Sequence, residues 1–319
     1  MSASSRSIGV LISTLSAIFY GTMATFTRFL YDFGLSDTTI AVLPPLFIFT
    51  FFFLAQIFRD PKAFLVPRKM LILLAVDGIF IINGINLSFA NEVAHFQVSV
   101  MTVLNYCYVF VIMFLSAILL KEKIRMYKIV SCFVVVLGVS LVLNVWTSSR
   151  VSDVSWQGLM WLMVAWLTLA GNIVMNKYFL DNGVKGFVIM AYINIFAVIS
   201  LCVSANPTVM FSEIAASVAQ HGPAVWAAVI GYGLVPNIIC YLLFIIALEK
   251  ISATVLGVTY SFDPLTSAIL GVVIFGDHLG VSQVLGIVII MVTVGWVQLE
   301  EDKEYRRAQQ AITAAGTPA

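Results

Sequence analysis

The stretch from residue 39 to residue 58 reads TIAVLPPLFIFTFFFLAQIF. It contains no charged side chain, and Arg59 follows it directly. A helix that crosses the hydrocarbon core of a bilayer needs about 20 consecutive, mostly apolar residues. The stretch therefore predicts a membrane-spanning helix that ends at a charged membrane surface.

The same apolar character extends over the whole chain of 319 residues, of which 61% are hydrophobic and 10% charged. Soluble domains usually carry about 25% charged residues, so the composition excludes a water-soluble fold. Barrel strands would appear as alternating segments of about 10 residues, which this sequence lacks. We predict an all-α integral membrane protein with ten transmembrane helices. The ten windows are 8–31, 39–58, 70–90, 97–120, 126–145, 156–180, 186–204, 223–247, 252–275 and 281–299.

Basic residues alternate along these windows in a way that predicts orientation. If ten helices cross in turn, all lysines and arginines except Arg28 and Arg150 fall on one side of the membrane. Basic residues favour the cytoplasmic side, so we expect both termini and the polar tail 300–319 in the cytoplasm and the protein in the cell (inner or plasma) membrane. The net charge of +1 gives no electrostatic footprint of nucleic-acid binding.

Two parts of the chain resemble each other at an offset of 149 residues. RFLYDFGL at 28–35 corresponds to KYFLDNGV at 177–184. The halves 8–145 and 156–299 hold five windows each, and an odd number makes the second half enter the membrane from the opposite face. Inverted repeats are typical of secondary transporters, with the substrate site near the midplane. We therefore predict a 5+5 inverted repeat around a central cavity.

Two carboxylates, Asp77 and Asp263, lie well inside predicted spans. Ionisable groups are expensive in hydrocarbon and usually face the protein interior. Pro264 follows Asp263 and has no N–H, so it leaves a helix carbonyl free. Asp263 is predicted either to bind a cation, a proton or a substrate amine, or to be a structural carboxyl at a kink. The same alternatives hold for Asp77, with an inner-surface basic group or Asn83 as its structural partner.

Other polar side chains recur at helical spacing inside the windows. Residues four apart share a helix face, so such rows predict either a polar cavity or interhelical hydrogen bonds of roughly 0.6–2 kcal/mol each. The candidate substrate- or ion-binding residues are Asp77, Asn83, Asn86, Thr102, Asn105, Tyr106, Asn172, Asn176, Asn237, Tyr241, Tyr260, Asp263 and Ser267.

The ninth window resembles a known family. SFDPLTSAILGVVIFGD at 261–277 is similar to the helix-nine signature of the drug/metabolite transporter superfamily, EamA type: an acid-proline pair, small residues, and glycine-acid at the helix end. LLKEK at 119–123 resembles the corresponding end of helix four. The resemblance, which covers about residues 8–299, implies a basket of ten helices with a central cavity and export or exchange of small metabolites.

A weaker likeness points to the aromatic amino-acid exporter branch, at YGTM (20–23) and LNY (104–106). The chain departs from the family pattern where helix four often has a proline, because Tyr108 lies near that place. The likeness does not fix a substrate.

The leading hypothesis is a secondary-active exporter of amino acids or similar small metabolites, working by alternating access, with proton coupling left open. One alternative is an intramembrane aspartyl protease that uses Asp77 and Asp263 as a carboxyl pair. Another is a non-transporting receptor or scaffold. The sequence contains no P-loop and no metal spacing such as HExxH, so we expect no enzyme activity and no cofactor. The expected partners are a small-molecule substrate and the bilayer, with the protein a monomer or weak homodimer.

Overall fold

The computed structural model describes residues 3–85, 87–88, 105–142, 156–204, 207–275 and 280–314. All regular secondary structure in these residues is helical, which confirms the all-α prediction for this part of the chain. The first half contains α1 (Ala3–Gly21), α2 (Met23–Asp32), α3 (Asp37–Arg59), a 3-10 turn (Pro61–Phe64), α4 (Arg68–Val76), α5 (Tyr108–Leu119) and α6 (Met126–Val142). The second half contains α7 (Trp156–Asp181), α8 (Gly186–Ser204), α9 (Pro207–His221), α10 (Ala224–Gly233), α11 (Cys240–Leu248), α12 (Ala253–Thr259), α13 (Phe262–Phe275) and α14 (Val281–Ala314).

Several of these helices have the length and composition of membrane spans. In the described residues five stretches qualify: Arg6–Asp32, Thr38–Arg59, Trp156–Asp181, Ala224–Leu248 and Ala253–Ile274. Large apolar side chains also lie on the outer surface; Phe58 is 85% exposed and Val273 is 74% exposed. An apolar surface of this kind is stable against lipid and not against water. The chain is a multi-pass membrane protein, while the count of ten crossings and their inverted orientation stay predictions.

Helices are interrupted at corresponding places in the two halves. A π-helical segment, Asp77–Ile82, continues α4, and a second one, Leu234–Ile239, joins α10 to α11. Pro236 lies inside the second segment and cannot donate a backbone hydrogen bond there. A turn at Cys107 precedes α5, and a turn at residues 260–261 separates α12 from α13. Such irregular segments free backbone groups inside the protein and frequently occur at functional sites.

The halves are held together by pairs of helices that correspond to each other. The helix α3 packs against α8, and α6 packs against α14. Phe52 of α3 meets Phe187 edge to face at 5.1 Å between ring centroids. Gly78 lies so close to α8 that an added Cβ would overlap the carbonyl oxygen of Ile193 and the side chain of Phe196. The two halves therefore share a continuous apolar core.

The stretch between the predicted windows 186–204 and 223–247 contains the helix α9. It buries Met210, Ile214 and Ser217 on one face, at the spacing of an amphipathic helix. The short apolar stripe is too small for a span, which is why hydropathy indicated a connection. Ser36 and Thr39, at the start of α3, donate to Oε2 of Glu213 on α9 at 2.7 and 2.6 Å. These donors hold the pKa of the Glu213 carboxyl below its ordinary value.

The last helix also continues further than the sequence suggested. The last predicted window ends at residue 299, whereas α14 extends to Ala314. Lys303 pairs with Glu300 one turn earlier at 2.6 Å, and Arg125 pairs with Glu304 at 2.7 Å. Charged pairs three or four residues apart support an exposed helix, so the tail continues the span instead of uncoiling.

Candidate functional site

A cavity of about 270 Å³ lies between helices of both halves. Pockets for small ligands typically measure about 300–1,000 Å³, so this volume suits a small organic molecule. Its walls come from α1, the helix that follows α4, the start of α5, and the helices α7, α11 and α13 with the turn before it. The lining residues are Tyr20, Ile85, Asn105, Tyr106, Tyr108, Leu169, Asn172, Ile173, Tyr241, Phe244, Tyr260 and Asp263.

Asp263 is the one charged residue of the lining in the part of the chain that the structure describes. It lies in the first turn of α13, directly after the break at residues 260–261. The positive end of a helix dipole favours a negative charge at such a position. The hydroxyl of Tyr106 donates to Oδ2 of Asp263 at 3.0 Å. The break thus presents a carboxylate to the cavity and fixes its orientation with a second lining residue.

Aromatic rings line the same cavity as this carboxylate. The rings of Tyr20 and Tyr260 lie 6.0 Å apart, and Phe244 meets Tyr260 edge to face, also at 6.0 Å. The hydroxyl of Tyr260 is held by Ser16 at 2.9 Å. Ring faces attract cations, and rings also stack with aromatic ligands. An acid in a cavity lined partly by aromatic rings is therefore suited to an ammonium group carried on an apolar or aromatic body.

Asp77, the second intramembrane acid, lies behind the cavity wall. Its side chain is fully buried, at 0% exposure, and is not part of the lining. Asn172 does line the cavity, and its Nδ2 donates to Oδ1 of Asp77 at 3.3 Å. The two aspartates therefore have different partners, Tyr106 for Asp263 and Asn172 for Asp77. No hydrogen bond between the two carboxyls occurs among the described contacts.

Two predicted site residues of the second half donate hydrogen bonds to backbone carbonyls near interruptions of helices. The hydroxyl of Ser267 donates to the carbonyl of Gly21 at 2.8 Å, where α1 ends. The amide of Asn237 donates to the carbonyl of Tyr232 at 2.8 Å within the second π-helical region. Neither side chain is part of the described cavity lining.

Two further candidates also lie outside that lining. Asn83 donates to the hydroxyl of Ser200 at 2.6 Å, which joins the third predicted helix to α8. Asn176 donates to the carbonyl of Asn172 one turn earlier, at 2.7 Å. The candidates Asn86 and Thr102 lie outside the described residues.

The structure brings six predicted residues together at the cavity: Asn105, Tyr106, Asn172, Tyr241, Tyr260 and Asp263. Tyr20, Tyr108 and Phe244 also line it and were not among the candidates. Tyrosine is most frequent near membrane surfaces, so a tyrosine in the interior of a span is the signal that identifies such residues. Tyr20 and Tyr108 both lie beside an interruption of their helix.

The described residues contain no group of three or more His, Cys, Asp or Glu side chains that is arranged to hold a metal ion. The chemical features of the cavity are therefore one carboxylate, several hydroxyls and two amides.

Comparison with known proteins gives three findings. The model of the EamA-like transporter family matches residues 7–144 and again residues 156–298, once in each half. "Uncharacterized transporter YxxF" of Bacillus subtilis (strain 168) is 23% identical over 216 residues, which are 65% of this chain and 61% of that protein. The chain thus matches less than two thirds of the length of this relative. A protein of known crystal structure superposes with a TM-score of 0.71 at 17% identity, over 95% of this chain and 99% of the other, which shows a common fold.

Proposed function

The chain belongs to the EamA-like transporter family, and from this premise we propose that it exports amino acids or similar small metabolites by alternating access, in exchange for protons. The proposal includes ten membrane crossings, both termini in the cytoplasm of the cell or inner membrane, and a monomer or weak homodimer as the active unit.

One observation carries the choice of substrate: Asp263 faces a cavity in which five of the twelve lining residues are tyrosines. A carboxylate in a confined, low-dielectric space needs a positive partner. The ammonium group of an amino acid supplies that partner, and its side chain is covered by the rings. Asn105 and Asn172 supply amide groups for the polar remainder of the molecule.

Packing between the halves supports alternating access. If the halves are related by a two-fold axis in the membrane plane, a helix that lies next to the axis packs against its own counterpart in the other half. The contacts of α3 with α8 and of α6 with α14 fit this requirement. The matching interruptions in the third and fourth helices of each half give corresponding places at which the chain can bend.

The protease alternative receives no support from the geometry. Two catalytic carboxyls that share a proton have to hydrogen-bond each other or one water. Here Asp77 is buried behind Asn172, whereas Asp263 faces the cavity and accepts from Tyr106. A receptor or scaffold would bind ligand without carrying it across the membrane.

The test is transport by purified protein in liposomes. Radiolabelled amino acids and aromatic amines are screened for exchange across the membrane and for accumulation driven by a pH gradient. We expect Asp263→Asn to abolish both activities, because the ammonium loses its ionic partner. Asp32→Asn is the matched control. Asp32 is exposed at the end of α2, so this substitution makes the same chemical change outside the cavity. Absence of flux for the whole panel, or full activity of Asp263→Asn, would refute the proposal.

A further inference from the structure

Asp77 is a buried acid with one unsatisfied oxygen. Oδ1 accepts from Asn172, but Oδ2 has no hydrogen-bond partner among the described residues. The residue opens the π-helical segment Asp77–Ile82, where Gly78 brings the helix directly onto α8. A charged oxygen left without partners in a protein interior is very costly, so Oδ2 is the atom of this carboxyl that gains most from taking up a proton.

Titratable side chains on the helices packed around Asp77 could pair with its carboxyl, so their own contacts matter. The titratable side chains on the packed elements are Arg68 and Lys69 on α4, Lys177, Tyr178 and Asp181 on α7, and Tyr192 and Cys202 on α8. Tyr192 donates to the carbonyl of Phe64, and Lys177 donates to the carbonyl of Leu248. None of these groups hydrogen-bonds Asp77 in the described structure.

Asn172 contacts both the cavity and Asp77. Its side chain lines the cavity that holds Asp263, and its Nδ2 contacts Asp77 on the far side of the wall. An amide carries donors at one end and an acceptor at the other. While Nδ2 points to Asp77, the acceptor Oδ1 remains for a ligand on the cavity side.

We propose that Asp77 carries the coupling proton, separately from the substrate carboxylate Asp263. We also propose that the protonation of Asp77 sets the orientation of the Asn172 amide and thereby the polar atoms that this amide presents to the cavity. This inference rests on the proposed transport function and assigns the two intramembrane acids to different ligands.

The exchange balances with one proton. When Asp77 is ionised, Asn172 donates Nδ2–H to Oδ1 of the carboxylate and offers its own oxygen to an ammonium in the cavity. When a proton binds Asp77, the new O–H donates to the oxygen of Asn172, the amide turns over, and its donors face the cavity instead. An ammonium has no acceptor lone pair, so it is disfavoured in that state. The proton from one side and the ammonium from the other therefore exclude each other, as exchange requires.

The first test reads the protonation of Asp77 directly in the purified, full-length protein. A hydrophobic carbodiimide modifies protonated carboxyls, and mass spectrometry of the peptide that contains Asp77 measures the extent. We expect labelling that falls as the pH rises. Phenethylammonium, used as the probe, should reduce the labelling by about fivefold or more, in the usual range of coupling between sites.

The variant Asn172→Leu tests whether the amide of Asn172 couples Asp77 to the cavity. It leaves both acids in place and removes the amide, so Asp77 should stay labelled at higher pH than in the wild type and should no longer respond to phenethylammonium. The Asp32→Asn control should behave like the wild type. An unlabelled Asp77, or a probe response that survives in Asn172→Leu, would overturn the inference.

Transport assays distinguish a failure of this inference from a failure of the proposed function on which it rests. In liposomes, Asp77→Asn should exchange labelled for unlabelled substrate at a rate near that of the wild type but should fail to accumulate it under a pH gradient, whereas Asp263→Asn loses both. Wild-type accumulation by Asp77→Asn would refute the proton site and leave the transporter intact. Loss of both activities at an unchanged melting temperature would also refute it, because Asp77 would then act in substrate binding. A wild-type protein that moves no substrate refutes the proposed function itself.

Discussion

Replacing Gly21 by alanine tests whether the contact between α1 and α13 positions the cavity acid. A Cβ at this position would lie 2.6 Å from the carbonyl oxygen of Asp263 and 2.6 Å from Cβ of Thr266. The carbonyl belongs to the backbone and cannot rotate away. The two helices therefore have to separate where Asp263 enters the cavity.

The size of the effect follows from these distances. Carbon atoms pack best at about 3.5–4.0 Å, so relief of both contacts needs a displacement of roughly 1 Å. Overpacking of this kind costs about 1–3 kcal/mol. The gain in helix propensity from glycine to alanine returns about 1 kcal/mol, which leaves a net destabilisation of roughly 0–2 kcal/mol. A misplacement of about 1 Å at a binding group lowers rates by up to about 100-fold.

The assay compares transport with stability. Substrate exchange in liposomes should fall strongly in Gly21→Ala, while thermal unfolding in detergent, followed by fluorescence, changes little. Gly295→Ala is the matched control, because this glycine also lies in a helix and an added Cβ there meets no described atom within 4 Å. It should retain full transport with equal or higher stability. If Gly21→Ala transports as well as Gly295→Ala, the contact does not position Asp263 and the reasoning is wrong.

Three other predictions follow from the structure. Tyr106→Phe removes the donor to Asp263; hydrogen bonds to charged groups contribute about 1.5–3 kcal/mol, so we expect substrate affinity to fall by about tenfold or more in a binding assay, and unchanged affinity would contradict this. Glu213 has a pKa lowered by hydrogen bonds from Thr39 and Ser36, so its stabilising contribution is complete above its ordinary value of 4.5 and is lost as the pH falls through the lowered pKa. Glu213→Gln should therefore unfold at a temperature that depends less on pH in this acidic range, and an identical pH profile would refute the role of this contact. Reporter fusions at the two termini should both be active in the cytoplasm, and opposite locations would rule out an even number of crossings.

The helical spans were predictable because their cause is local. A run such as 39–58 has to bury its backbone polar groups in internal hydrogen bonds wherever it meets lipid, and the helix provides them without any partner. The helix α9 was not predicted in this way, because its apolar residues Met210 and Ile214 stabilise it only by packing against the neighbouring helices. The helical tail as far as Ala314 was missed for a related reason, because Arg125 on a distant segment pairs with Glu304.

The candidate site was partly predictable. Intramembrane charge identified Asp263 and Asp77 in the sequence, because a carboxyl in hydrocarbon requires a special environment. Helical spacing also selected Asn237 and Ser267, but it could not tell a side chain that faces a cavity from one that satisfies a broken helix. That distinction depends on the carbonyls of Tyr232 and Gly21, to which these side chains donate.

The sequence by itself determined that this chain lies in a membrane, where its apolar segments are and which acids lie inside them, since each of these depends on the solvation of short stretches. Only the tertiary structure decided that Asp263 faces the tyrosine-lined cavity while Asp77 lies behind Asn172. The physical reason is that a cavity and its hydrogen bonds arise where helices distant in sequence meet, and interrupted helices turn side chains away from the directions that regular helical spacing predicts.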